Sequence, residues 1–148
     1  RVLYAANSLG PIDQSIRMGI EWANDRVVGD EKLADKQAIQ WKIAKSAVDY
    51  QAAKYSVYHA AQRFDDGEDI RHDSSITKYQ TTETLWTVLD RMVQIHGGAG
   101  VDGDLPLERW LRESRVRRIG EGPSEVQLKT IARNLLKGYE DPDPLPLN

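Results

Sequence analysis

The chain contains no cysteine, which removes a disulfide framework, a Cys-ligated zinc site and a thiol nucleophile together. Histidine is nearly as scarce. His59, His72 and His96 are too scattered for a metal cluster, so no metal ligand is assigned. No apolar run reaches the roughly 18 residues that a membrane-spanning helix needs, so no membrane span is expected. Charge of one sign is also lacking, and a net charge of −3 argues against a nucleic-acid-binding surface across the whole domain. An initiator Met, a charged leader and an apolar targeting stretch are all missing. Instead Val2, Leu3, Ala6 and Leu9 start a periodic apolar pattern at once, which reads as a piece of a longer polypeptide.

What is present suits one packed helical domain. The 148 residues are 40% hydrophobic and 29% charged, and Ala, Lys, Glu and Gln are plentiful. Five helical segments are expected. The first covers about Val2 to Val27, with Ala6, Leu9, Ile16, Ile20, Ala23 and Val27 at spacings of three and four. Pro11 lies inside it and predicts a kink rather than a break, because the apolar period resumes in phase. Gly29-Asp30 marks a turn. The second segment covers about Leu33 to Phe64, with Trp41, Ala44, Val48, Tyr55 and Tyr58 on one stripe. The third covers about Ser74 to His96, with Leu85, Val88, Leu89, Met92 and Ile95 facing inward and Gly97-Gly98 as its stop. A short fourth covers Pro106 to Ser114, and a fifth about Pro123 to Tyr139. The fold class is therefore all-α, an antiparallel four-helix bundle with a short additional helix. It occupies residues 1–139, and residues 140–148 form a proline-rich tail that cannot be helical.

Two stretches could carry chemistry. Gln94-Ile95-His96-Gly97-Gly98-Ala99-Gly100 has no Gly-Lys-Ser/Thr after it and no strand before it, so it is neither a Walker loop nor a dinucleotide fingerprint. It is either a helix ending in a glycine turn or bare backbone that a ligand approaches closely, with the Gln94 amide beside it. The second stretch runs from Arg112-Glu113-Ser114-Arg115 to Ile119-Gly120-Glu121-Gly122-Pro123-Ser124-Glu125. Its arginines make a solvated face or ion pairs. Glu121, with glycine on both sides, is either a cap on the following helix or a carboxylate open to a reacting molecule, where an apolar pocket would raise its pKa. Arg1 and Arg26 bracket the first helix, and either is a surface arginine or a phosphate-binding one.

Taken in order, these residues resemble the acyl-CoA dehydrogenase family, specifically its C-terminal helical domain. The resemblance runs from Arg1 to about Leu136. It rests on Arg1 with Ala5-Ala6 and Gly10, on Arg26 and Gln37 in the family's register, and on three motifs. Gln94 to Gly100 is similar to Gln-x-x-Gly-Gly-x-Gly, Arg112 to Arg115 to Arg-Asp-x-Arg, and Ile119 to Glu125 to Ile-Tyr-Glu-Gly-Thr-x-Glu. The resemblance implies that Glu121 is the base that takes the α proton of an acyl-CoA thioester. The β hydrogen then leaves as hydride to N5 of FAD, giving a trans-2-enoyl-CoA. It implies that the Glu121 amide helps polarise the thioester carbonyl. It further implies that Arg26, Gln94, Ile95, His96, Gly97, Gly98 and Glu125 contact the FAD of a neighbouring subunit, and that Arg1 and Gly122 lie at the substrate.

The sequence departs from the family's pattern where Gly29-Asp30 replaces Phe-Gly, where Pro123 replaces a threonine and where Gly120 replaces a tyrosine that lines the acyl pocket. The last change implies a pocket of different shape. The implied partners are an electron-transfer flavoprotein and further copies of the chain as a dimer or tetramer. Helical and β domains are expected upstream, so the chain alone is expected to be inactive. The compartment implied is the cytoplasm in a prokaryote, or the mitochondrial matrix or peroxisome in a eukaryote. The rival readings are an acyl-CoA oxidase-like flavoprotein and a catalytically silent oligomerisation module.

Overall fold

A computed structural model describes residues 1–138. The chain forms α1 (Val2–Asp25), a two-residue hairpin of β1 (Val27–Val28) and β2 (Glu31–Lys32), a 3₁₀ turn (Leu33–Asp35), α2 (Gln37–Asp65), α3 (Arg71–His96), α4 (Gly98–Val101), α5 (Leu107–Arg117) and α6 (Ser124–Leu136). The fold is all-α apart from the hairpin, in which Val27 pairs with Lys32 and Val28 with Glu31 around Gly29, at φ 69°. Tyr139 and the proline-rich tail lie outside the described residues.

Several boundaries differ from the sequence expectation for local reasons. α1 runs unbroken through Pro11, whose apolar neighbours Ile12 and Ile16 are buried in phase with Ala5. Lys36 is extended (φ −77°, ψ 117°), so the second helix begins at Gln37 and Leu33–Asp35 form a separate turn. Past Gly97, at φ 61° and ψ −133°, the chain makes the extra turn α4 instead of leaving helix altogether.

α3 is the axis of the molecule and packs against α1, α2, α5 and α6. Its C-terminal half is the apolar core. Leu85, Val88, Leu89, Met92 and Ile95 meet Ile12, Ile16 and Ala23 of α1 and Leu107 of α5. Gly19 lets the two long helices approach, since a Cβ there would lie 2.5 Å from Met92 Sδ. The N-terminal half of α3 is also buried but polar: His72, Asp73, Ser74, Ser75, Thr77, Lys78, Thr81 and Thr82. There Arg63 of α2 reaches Glu68 at 2.9 Å and Asp73 at 3.0 Å. Ser56 and Thr77 share a hydrogen bond of 2.8 Å.

The apolar stripe of α2 lies on the side away from this core. Trp41, Val48, Tyr55 and Tyr58 are 57%, 68%, 66% and 62% exposed, and Ala44 is exposed with them. The face turned inward carries Ser46, Ala53, Val57, Ala60 and Arg63. α2 is thus apolar on two sides, and one of them has no partner among the described residues.

Candidate functional site

α1 carries a cleft at each of its ends. At about 1.5 Å per residue its 24 residues set those ends roughly 36 Å apart.

The cleft at the N-terminal end, about 650 Å³, is lined by Arg1, Leu3, Tyr4, Asn7, Glu113, Val116, Arg117 and Glu121. It forms where α1 crosses the end of α5 and the loop that follows. Arg117 spans the crossing, with Nη2 donating to Asn7 Oδ1 at 2.6 Å and its guanidinium 5.6 Å from the Tyr4 ring centroid. Gly120 has a steric reason. A Cβ there would lie 2.7 Å from the Tyr4 hydroxyl, so the Tyr4 ring takes the volume that a side chain at 120 would need.

Glu121 has φ 55°, the one non-glycine residue in the left-handed region among the described residues. L side chains seldom adopt that conformation, and it recurs at functional turns. Gly122 follows at φ 93°. Glu121 does not cap α6, whose N-terminus at Pro123 has no side-chain cap bond. Glu121 is exposed and borders the open cleft. Among the described residues nothing accepts the Glu121 N–H. Gly122 does not line the cleft. Its carbonyl is turned inward and accepts from Lys78 Nζ at 2.8 Å and from Gln127 Nε2 at 2.9 Å. Burial holds the Lys78 ammonium below the usual lysine range, against the opposing pull of Glu83.

The C-terminal end of α1 faces the end of α3. Arg26, Trp22 and His96 line two adjoining hollows of about 400 and 390 Å³. Met18, Glu21, Asp25 and Leu105 extend the first, and Val28, Leu33, Ile95, Gly97, Gly98 and Ala99 extend the second. Trp22 lies against His96 with ring centroids 5.1 Å apart. His96 donates from Nδ1 to the Met92 carbonyl at 2.7 Å, which sets its tautomer.

The three glycines of this stretch answer to different constraints. Gly97 has a backbone that favours glycine, at φ 61° and ψ −133°. Gly100 packs on α3, where a Cβ would lie 2.6 Å from the Val93 carbonyl oxygen. Gly98 has neither constraint, since nothing lies within 4 Å of its Cβ position. Bare backbone beside a cleft leaves room for a ligand. Gln94 and Glu125 are exposed and line neither cleft.

The structure therefore groups Arg1 with Glu121, and Arg26 with Ile95, His96, Gly97 and Gly98. Tyr4, Trp22, Lys78 and Gln127 were not singled out from the sequence. Lys78 had a signal, because it stands in helical phase with Leu85, Leu89 and Met92 on the buried face of α3. Among the described residues no group of His, Asp and Glu is placed to hold a metal, and no helix is long and apolar enough to cross a membrane.

Fold and clefts together define a class of all-α domain, a helical bundle with a cleft at each end of its first helix. The chain belongs to the acyl-CoA dehydrogenase family, for residues 1–136 match that family's C-terminal domain. It is 39% identical over 137 residues to a 3-(aryl)acrylate reductase of Clostridium sporogenes, covering 93% of this chain and 36% of that protein. Against the caffeyl-CoA reductase-Etf complex subunit CarC of Acetobacterium woodii it is 35% identical, covering 93% and 36%. Butyryl-CoA dehydrogenase of Megasphaera elsdenii has the same fold, with a TM-score of 0.89 and 31% identity over 92% of this chain and 36% of that one. The chain thus spans about a third of the length of these relatives.

Proposed function

We propose that the chain is the C-terminal domain of an FAD-dependent enzyme that dehydrogenates acyl-CoA thioesters, with Glu121 as the base. The observation that carries this reading is the left-handed Glu121 at the wall of the cleft beside Arg1, with its own N–H unclaimed. One residue then offers both groups that the chemistry needs. The carboxylate takes the α proton, and the amide donates to the thioester oxygen as charge develops on it. Arg1 and Arg117 on the same walls suit the phosphates of a CoA chain.

On this reading Arg26 meets the pyrophosphate of a neighbouring subunit's FAD, and Gly97-Gly98 admit its adenosine side along the wall formed by Ile95 and His96. Gln94 and Glu125, both exposed, are proposed as further contacts to a neighbouring subunit's FAD. When bound, FAD supplies the acceptor for the β hydride. The electron acceptor in turn is an electron-transfer flavoprotein, in keeping with the Etf complex to which the CarC relative belongs. The caffeyl-CoA reductase relative favours a second direction for the same machinery, in which Glu121 returns the α proton to an enoyl thioester and the reduced cofactor would supply the β hydride.

Glu121→Gln in the intact protein tests the reading. The amide is nearly isosteric, so FAD and acyl-CoA binding should persist. Flavin reduction should slow by about 10²–10⁴-fold, the range for a lost general base. Reduction at the wild-type rate would return Glu121 to an ordinary loop carboxylate.

A further inference from the structure

The loop that presents Glu121 is held from behind by side chains that do not touch the cleft. Its two ends are closed by the Ser124 N–H donating to the Arg118 carbonyl at 3.0 Å. Both ends are also tied to one atom of α3, Glu83 Oε1. Arg118 Nε donates to it at 2.9 Å and the Ser124 hydroxyl at 2.6 Å. The tip is held by two further donors. Gln127 Nε2 reaches the Glu121 carbonyl at 3.3 Å and the Gly122 carbonyl at 2.9 Å, and Lys78 Nζ reaches the Gly122 carbonyl at 2.8 Å. Lys78 and Gln127 are both 0% exposed, and Lys78 is the bulkiest fully buried side chain among the described residues.

Burying a lysine is costly, and a hydrophobic residue of similar length would fill the same space without that cost. What lysine adds is a donor at one carbonyl and a charge that Glu83 attracts. Gln127 carries the same message, because its Oε1 is buried with no partner while its Nε2 serves two carbonyls. Turning the amide over would set oxygen against oxygen, so the carbonyls dictate its orientation. The two donors draw successive carbonyls inward at Glu121 and Gly122, the loop's two residues of positive φ. With those carbonyls pinned, the Glu121 side chain is left on the cleft wall.

We propose that Lys78 and Gln127 are positioning residues for Glu121, two buried donors that lock its left-handed backbone and so aim its carboxylate and amide at the substrate. This rests on the reading of Glu121 as the base. Neither residue touches substrate, and both act through the Glu121-Gly122 backbone.

The test uses the intact flavoprotein and rapid mixing with acyl-CoA, following flavin bleaching. Lys78→Met and Gln127→Met remove the donors at nearly constant volume. A misaimed base is expected to slow the limiting rate of flavin reduction by roughly 10–100-fold, the scale of a small misplacement of a reacting group. FAD content and acyl-CoA affinity should stay at wild-type values, and the α-deuterium isotope effect should rise as proton abstraction becomes the slower step. If Lys78→Met does not fold, Gln127→Met decides alone by the same criteria. Wild-type rates in the folded variants, while Glu121→Gln blocks reduction, would overturn the positioning role and leave the base in place. A parallel loss of FAD or acyl-CoA binding with the rate would also overturn it, since a merely structural role acts that way. A wild-type rate in Glu121→Gln would overturn the base assignment itself.

Discussion

Gly98→Val separates a cofactor contact from a folding requirement. Among the described residues nothing beyond the local backbone lies within 4 Å of the Gly98 Cβ position, and its φ is outside the left-handed region, so a side chain there starts in open space. The apoprotein should keep its stability to within about 0.5 kcal/mol, the usual range for an open surface position. The added carbons fill the space where the surface of FAD would rest. Overfilling a packed contact costs about 1–3 kcal/mol, which corresponds to roughly 5–150-fold in dissociation constant. Gly100→Ala is the internal control with the opposite signature. Its Cβ would lie 2.6 Å from the Val93 carbonyl oxygen and 3.0 Å from Val93 Cα, backbone atoms of α3 that cannot swing aside. Stability should then fall by about 1–3 kcal/mol. Thermal unfolding of the apoprotein and titration with FAD measure the two effects separately. Wild-type FAD affinity in Gly98→Val, or unfolding of that variant as early as Gly100→Ala, would refute the assignment of Gly98 to the cofactor.

Two further outcomes concern the 148-residue chain by itself. Purified alone, it should neither retain FAD nor reduce a dye with acyl-CoA, because it spans only about a third of the length of its relatives. A yellow, stoichiometrically loaded and active sample would refute this. It should also self-associate through the exposed face of α2, where Trp41, Val48, Tyr55 and Tyr58 form an unpartnered apolar stripe. Light scattering should show more than a monomer, and Tyr55→Glu should shift it toward one. A clean monomer at high concentration would count against the stripe as an interface.

Much of the fold was legible where apolar spacing and burial coincide. The run from Leu85 to Ile95 announces its inner face by period alone, and the glycines after His96 announce its end. Legibility failed where polar residues are buried or apolar ones exposed. The N-terminal half of α3 packs Ser, Thr and Lys inside, so hydrophobic period placed the start of the helix at Ser74 instead of Arg71. On α2 the stripe from Trp41 to Tyr58 marks a face that packs on nothing among the described residues, because an apolar period does not say what covers it. Glu121 was legible from its flanking glycines, but its φ of 55° was not, since glycine neighbours permit many turns. The phase of Lys78 marks it as inward-facing, but the carbonyls that Lys78 and Gln127 serve stayed hidden, because a sequence does not distinguish one carbonyl from another.

The placing of the two clefts at opposite ends of α1 has a genetic consequence. About 36 Å of helix separates the wall that carries Glu121 from the wall that carries Arg26. On the proposed reading, one chain therefore lends its acid to one flavin and its arginine to another, as a worker on a line serves two neighbouring stations. Lesions at the two ends then belong to different complementation groups. A subunit damaged at Glu121 and a subunit damaged at Arg26, each inactive among its own kind, assemble into a mixed pair in which one station has lost both parts and the other has lost neither.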